Sequence, residues 1–277
     1  MRVGLFGFPV AHSASPRMHN AAFAALGLAG WQYELWETAP DQLVRRIAAL
    51  RADPSIAGAN VTVPHKIEVM AALDGVTERA RAIGAVNTLY REGDRLLGDN
   101  TDSAGFIADL AAHGVTVDAH TQALVLGAGG AARAVVHGLL SQGARVRIFN
   151  RAAGRAVTLA ADFKTLGDVR AVDDLSAAGD TPATLIVNAT SAGMSPNEDG
   201  TPWPPGLRFP GGATVYDLVY KPATTRLMRE AAAAGARIIG GIGMLAEQGA
   251  QAFARWTGKP AAEASVIMRR TLGATPQ

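Results

Sequence analysis

The stretch that decides the fold is Ala123-Leu124-Val125-Leu126-Gly127-Ala128-Gly129-Gly130-Ala131-Ala132. Four apolar residues run into a glycine-rich turn, and the turn opens a helical pattern that lasts to Leu140. A G-x-G-x-x-G/A motif between a strand and a helix is the fingerprint of dinucleotide binding; here Ala132 fills its third position. Gly127 makes the tight turn, and Gly129 lets backbone N–H groups approach a pyrophosphate. The helix N-terminus adds a partial positive charge. Gly127, Ala128, Gly129, Gly130 and Ala131 are therefore candidate cofactor-binding residues.

The next strand-like run, Arg145 to Phe149, ends in Asn150-Arg151-Ala152-Ala153-Gly154-Arg155. A site selective for NAD places Asp or Glu at this point to accept from the ribose 2′-hydroxyl. None is present. Arg151 and Arg155 stand where the following helix starts, which is electrostatically unfavourable for a cation unless an anion is bound there. The pattern points to a 2′-phosphate, and so to NADP.

Working outward, strands and helices alternate along most of the chain, which predicts α/β architecture with parallel sheets. A second series of strands and helices runs from Ala123 to about Ile239. A first series precedes it: strands at Val3–Gly7, Trp31–Trp36, Ile56–Val63 and Ile83–Tyr90, and helices from Ser15-Pro16, from Asp41 to Leu50 and from Lys66 to Leu73. Ser15 reads as the cap of its helix. A helix at Ala104–Ala112 joins the two series, and residues 196–212, rich in Pro and Gly, read as a surface excursion. Met244–Trp256 and Ala261–Leu272 read as closing helices. The expected organisation is an open, mainly parallel substrate domain at residues 1–102, completed by residues 242–277, and a Rossmann-type domain at 103–241.

Composition bounds the function. A length of 277 residues favours two domains, and 48% hydrophobic with 18% charged residues gives ample core. The absence of cysteine excludes a disulfide scaffold, a thiolate nucleophile and a Cys-ligated metal. The 26 basic residues are spread along the chain and matched by 24 acidic ones, so the net charge of +2 forms no track for nucleic acid. Apolar runs stop well short of a membrane span. The six histidines show no metal-ligand spacing, so no metal is expected. A cytoplasmic protein is expected.

The first series carries polar groups at its strand ends. His12-Ser13-Ala14-Ser15-Pro16 puts two hydroxyls at a helix N-terminus; Asn60-Val61-Thr62-Val63-Pro64-His65-Lys66 ends a strand in a lysine. Gly84-Ala85-Val86-Asn87-Thr88 and Asp99-Asn100-Thr101-Asp102 add amides and carboxylates. Ligands of open α/β sheets bind at such strand ends.

Taken together, these segments resemble the shikimate dehydrogenase family. HSASPRMHN (12–20), NVTVPHK (60–66), GAVNTL (84–89), DNTD (99–102), GAGGAA (127–132), NRAAGR (150–155), NATSAGM (188–194), DLVYKP (217–222) and GMLAEQ (243–248) follow the family's order and spacing. The resemblance implies reversible, NADPH-dependent reduction of 3-dehydroshikimate to shikimate. It implies that Lys66 and Asp102 form the catalytic pair and that Ser13 and Ser15 hold the substrate carboxylate, with Tyr220 lining that end. Asn60, Thr62, Asn87, Asp102 and Gln248 would bind ring hydroxyls. Asn150, Thr190, Gly241 and Met244 would join the arginines and the glycine turn around NADP. A monomer or homodimer is expected. His65, Ala152 and Lys221 depart from the family's frequent Phe, Thr and Asn.

A lysine ammonium suits ketone reduction because it stabilises a developing oxyanion and exchanges a proton. Either Lys66 or Asp102 is placed to carry that proton. Two other readings stand beside this one: a quinate/shikimate dehydrogenase using NAD or NADP, and a non-catalytic Rossmann module that senses NADPH or a metabolite.

Overall fold

In the computed structural model, residues 1–175 and 182–274 are described. They form two compact units: Met1–Gly105 with Leu245–Gln277, and Phe106–Met244. Each holds a six-stranded sheet.

The first unit begins with β1 (Arg2–Gly7), α1 (Ser15–Ala25), β2 (Gln32–Glu37), α2 (Leu43–Ala52) and β3 (Ile56–Val61). The strands β2 and β3 flank β1 in parallel, and the register sets Leu5 against Leu35 on one side and Asn60 on the other. Such strands are covered on both faces and read as apolar runs. Val3, Leu5 and Phe6 are buried accordingly.

The chain then departs from its sequence reading. Lys66–Leu73 is not a full helix but a short 3₁₀ stretch, Glu68–Ala72. The Lys66 carbonyl accepts from Val86 N–H at 2.7 Å, which takes it out of any helical ladder. The strand expected at Ile83–Tyr90 is two elements. After β4 (Gly75–Val76) comes α3 (Glu78–Ile83), capped by Thr77, whose hydroxyl accepts from Ala80 N–H at 3.1 Å. Gly84 ends it with φ +69°, a left-handed position that glycine takes without steric cost.

Only then does β5 (Thr88–Glu92) start, followed by β6 (Arg95–Asp99) and α4 (Asp102–Ala112). The β5–β6 hairpin turns at Gly93-Asp94, with Gly93 at φ +61°. Strand order is β2-β1-β3-β5-β6-β4, and β5 alone runs against the rest.

The second unit contains β7 (Gln122–Leu126), α5 (Gly130–Ser141), β8 (Arg145–Phe149), α6 (Ala153–Phe163), β9 (Val169–Ala171), β10 (Leu185–Asn188), β11 (Thr214–Asp217), α7 (Arg226–Ala233) and β12 (Arg237–Gly240). All pairs are parallel, in the order β12-β11-β10-β7-β8-β9. Strand order reverses between β7 and β10, the switch point at which nucleotides bind in doubly wound sheets. The excursion at 196–212 is only partly superficial: Trp203 is buried, stacks on Phe209 at 4.6 Å and donates to Leu207 O.

Two last helices, α8 (Ile242–Thr257) and α9 (Ala261–Leu272), follow. Residues Ala250, Phe253, Trp256 and Met268 from them pack with Val3, Met18 and Tyr33 in one core of the first unit. Among the described residues no helix is long and apolar enough to cross a membrane.

Candidate active site

Lys66 and Asp102 meet. The lysine Nζ donates to Asp102 Oδ2 at 2.5 Å, and the two side chains are only 13% and 6% exposed. Asp102 begins α4, where a carboxylate is favoured by the helix dipole, and its backbone N–H donates to Asn100 Oδ1. Its other oxygen accepts from Asn87 Nδ2 at 2.9 Å. The carboxylate is therefore held from two sides. An ammonium has three donors; one is given to Asp102.

Asn87 is the centre of this arrangement. Its Nδ2 also reaches Thr101 Oγ1 and Gln248 Oε1, while its Oδ1 accepts from Thr88 Oγ1 and Thr101 N–H. Asn60 lies one layer back, donating to Asn87 O and Thr88 Oγ1 and accepting from Tyr33 Oη at 2.9 Å. The structure thus brings Lys66, Asp102, Asn60, Asn87 and Gln248 into one buried network. Tyr33, Thr88, Asn100 and Thr101 belong to it too, and sequence reasoning had assigned them no role. Tyr33 reads in its alternating strand as a core aromatic, which it also is.

Asp99, at the end of β6, fixes the segment that carries Asp102. Burial alone would raise its pKa, but Arg79, Thr77, Asn100 N–H and Arg255 together hold the carboxyl below its usual value.

The serine loop is preformed. Ser13 Oγ donates to Ser15 Oγ at 3.1 Å and accepts from Ser15 N–H at 3.2 Å. Ser15 is not the cap; Ala14 is, and Ser15 is the first residue of α1. Thr62 follows β3 and donates its N–H to Phe6 O.

In the second unit the glycine turn has the form that a bound pyrophosphate requires. Gly127 takes φ +114°, and a Cβ there would stand 3.0 Å from both Ala189 O and Thr190 Cγ2. Gly129 is extended and open, and it is the N-cap from which Gly130 and Ala131 begin α5. Ala128 and Arg155 line one shallow cavity of about 190 Å³. Asn150 closes its own turn by donating to Ala152 O, and Arg151 is exposed. These groups fit a dinucleotide: a backbone cradle, a helix N-terminus and cationic side chains beside the strand end that reads the ribose.

Thr190 is held by Asn188, whose Oδ1 accepts from its N–H and hydroxyl. Behind them Asp217 accepts from Asn188 Nδ2, Val219 N–H and Thr225 Oγ1. Burial of this carboxylate, only partly offset by those donors, pushes its pKa up to about 6. Tyr220, half-buried, follows on the same turn. Gly241 has no room for a side chain, since a Cβ would stand 2.2 Å from Leu218 O. Met244 packs into the core of the second unit.

Family models match the chain in three segments: a shikimate dehydrogenase substrate binding domain at 5–89, shikimate/quinate 5-dehydrogenase at 109–195, and a shikimate 5′-dehydrogenase C-terminal domain at 241–270. A shikimate dehydrogenase (NADP(+)) of Salinibacter ruber is 48% identical, covering 95% of this chain and 94% of that protein.

The chain belongs to the shikimate dehydrogenase family.

The family's solved structures agree with it in fold. The shikimate 5-dehydrogenase of Thermus thermophilus, in complex with NADP(H) and shikimate, superposes with a TM-score of 0.86 at 42% identity, covering 98% of this chain and 99% of its own. That of Listeria monocytogenes, in complex with shikimate and NAD, gives 0.82 at 32% identity, covering 96% of each.

Proposed function

We propose that this protein is an NADP-dependent shikimate dehydrogenase that interconverts 3-dehydroshikimate and shikimate. The observation that carries this reading is the Lys66–Asp102 pair, closed at 2.5 Å and anchored by Asn87. It occurs in a chain whose second unit bears a well-formed dinucleotide turn.

NADPH supplies the hydride to the ketone carbon. Lys66 serves the oxygen. Its ammonium keeps two N–H groups beyond the one given to Asp102, and these stabilise negative charge as it develops on that oxygen. In the reducing direction Lys66 gives the oxygen a proton; in the oxidising direction the pair takes it back. Asp102 orients the ammonium and touches a ring hydroxyl. Ser13 and Ser15 hold the substrate carboxylate, with Tyr220 lining that end. Asn60, Thr62, Asn87 and Gln248 serve the ring hydroxyls. The amides of Asn60 and Asn87 are also engaged within the protein, so these two hold the network in register as well as meeting the substrate.

The strand end after β8 carries no acid to receive a ribose 2′-hydroxyl, which supports NADP over NAD. The protein acts in the cytoplasm, as a monomer or homodimer.

The Listeria relative with bound NAD, and a matching family model that includes quinate, favour a second reading with broader cofactor and substrate use. Initial rates with shikimate and quinate, each against NADP and NAD, separate the two. The expected result is a preference for NADP and an efficiency for shikimate at least about tenfold above quinate, the low end of discrimination by one small group. Comparable rates for both substrates or both cofactors would establish the broader enzyme instead.

A further inference from the structure

The cavity beside the glycine turn is lined by Ala128, Arg133, Gly154, Arg155, Thr158 and Leu159. It runs from the fingerprint turn to the first turns of α6. In a dinucleotide-binding unit this is the flank where the adenosine ribose is read, because the strand end at residue 150 leads into it. Of the two arginines that the sequence marks for a 2′-phosphate, only Arg155 lines the cavity; the other cation on its wall is Arg133.

Arg133 sits in the first turn of α5, where a cation opposes the helix dipole. It is nevertheless held firmly. Its Nη1 donates to Asp162 Oδ2 at 2.8 Å, its guanidinium lies 5.4 Å from the centroid of the Phe163 ring, and its side chain is 16% exposed. A guanidinium held in this way loses little freedom when an anion arrives. The nearby carboxylate, Asp162, is committed to Arg133 and so is a poor acceptor for a ribose hydroxyl.

We propose that Arg133 is a specificity-determining residue for the cofactor: with Arg155 it holds the 2′-phosphate of NADP in this cavity, while Asp162 and Phe163 keep its guanidinium in position. The proposal rests on the reading of the protein as NADP-dependent. It places the discriminating pair on Arg133 and Arg155 and leaves Arg151 at the margin. Two arginines against one carboxylate leave the pocket with an excess positive charge suited to a phosphate dianion.

The test is calorimetric titration of adenosine 2′,5′-bisphosphate and of 5′-AMP into the full-length protein and its Arg133→Met, Arg133→Lys and Arg151→Met variants. Methionine keeps the stem over Phe163 and removes the charge; lysine keeps the charge and guards against a change in packing. Arg133→Met should weaken the bisphosphate roughly tenfold, the value of one charge-assisted hydrogen bond, and leave 5′-AMP unchanged. Arg133→Lys should recover part of the loss, and Arg151→Met should lose less than Arg133→Met. In turnover, Arg133→Met should raise KM for NADP with kcat within about twofold. Equal weakening of both ligands, or no weakening of the bisphosphate, overturns the assignment. If the unaltered protein itself binds the two ligands equally, the NADP reading fails first, and the role of Arg133 fails with it.

Discussion

The first unit gathers a buried network of polar side chains, and the second presents backbone groups and cationic side chains at an open cavity. Around Asp102 in the first unit, Lys66, Asn87, Thr101 and Gln248 bond to one another and are largely buried. Around Gly127 in the second, the polar groups are the N–H groups of a turn and helix start, together with Arg133 and Arg155 at an open cavity. The difference matches the two recognition tasks proposed for them. A pyrophosphate is a diffuse dianion that any array of N–H groups satisfies. A reacting ketone needs one proton donor in one place, and a buried network fixes that place because each member has its partners.

The contrast breaks most sharply at the lysine. Lys66→Ala should lower kcat by about 10²–10⁴, the range for a positioned acid–base group, while NADP affinity stays within about twofold. Asp102→Ala should impair both turnover and shikimate binding. Steady-state rates together with NADP titration decide it, and a Lys66→Ala enzyme with most of its turnover would remove the catalytic pair.

Two buried groups, one in each unit, couple stability to pH with opposite signs. In the first, His19 is fully buried, stacked on Tyr33 at 4.3 Å, with both ring nitrogens lacking a partner, and burial lowers its pKa to about 3. Between pH 6.5 and about 3 the unfolded chain binds a proton that the folded chain refuses, so stability falls on acidification. The shift corresponds to at most about 5 kcal/mol. In the second unit, Asp217 is raised from 3.8 to about 6. Between those values the folded chain holds a proton that the unfolded chain has released, so stability falls as pH rises, by up to about 3 kcal/mol. Denaturant melts from pH 4 to 7 should show a shallower acid slope for His19→Phe and a shallower opposite slope for Asp217→Asn. Unchanged slopes would mean that neither group titrates as its burial dictates.

A smaller effect sharpens the description of the cofactor side. Arg155→Ala should raise KM for NADP by about ten- to hundredfold, equivalent to roughly 1.5–3 kcal/mol for a charged hydrogen bond, and leave KM for NAD nearly unchanged. A parallel rise in both would move Arg155 from the 2′-phosphate to the shared part of the dinucleotide.

The same division governs what was legible in the sequence. The glycine turn was readable because its function lies in local backbone conformation, which Gly127 and Gly129 specify within a few residues. Ser13, Lys66 and Asp102 were visible as chemistry at strand ends, and the resemblance paired Lys66 with Asp102, but the network that holds the pair was not visible, because Asn87 and Gln248 meet across 161 positions of chain. Tyr33 and Thr101 carry no signal that separates a network member from a core or loop residue. Arg133 was hidden for a related reason: its place in the cavity depends on α6, a separate helix. Two departures from the sequence reading have local signals. Gly93-Asp94 between apolar runs is a hairpin signal, and Thr77 with Gly84 brackets a short helix. The apolar run through Ile83 and Val86 masked both, since short runs do not distinguish strand from helix.

The discontinuity of the first unit has a consequence during synthesis. Ala250, Phe253, Trp256 and Met268 complete the core begun by Val3, Met18 and Tyr33, so roughly a whole intervening domain must leave the ribosome before that core can close. The second unit, made from one continuous stretch, faces no such delay. The nascent sheet of β1 to β6 meanwhile carries an unfinished apolar face, the kind of surface that chaperones bind and that aggregation exploits.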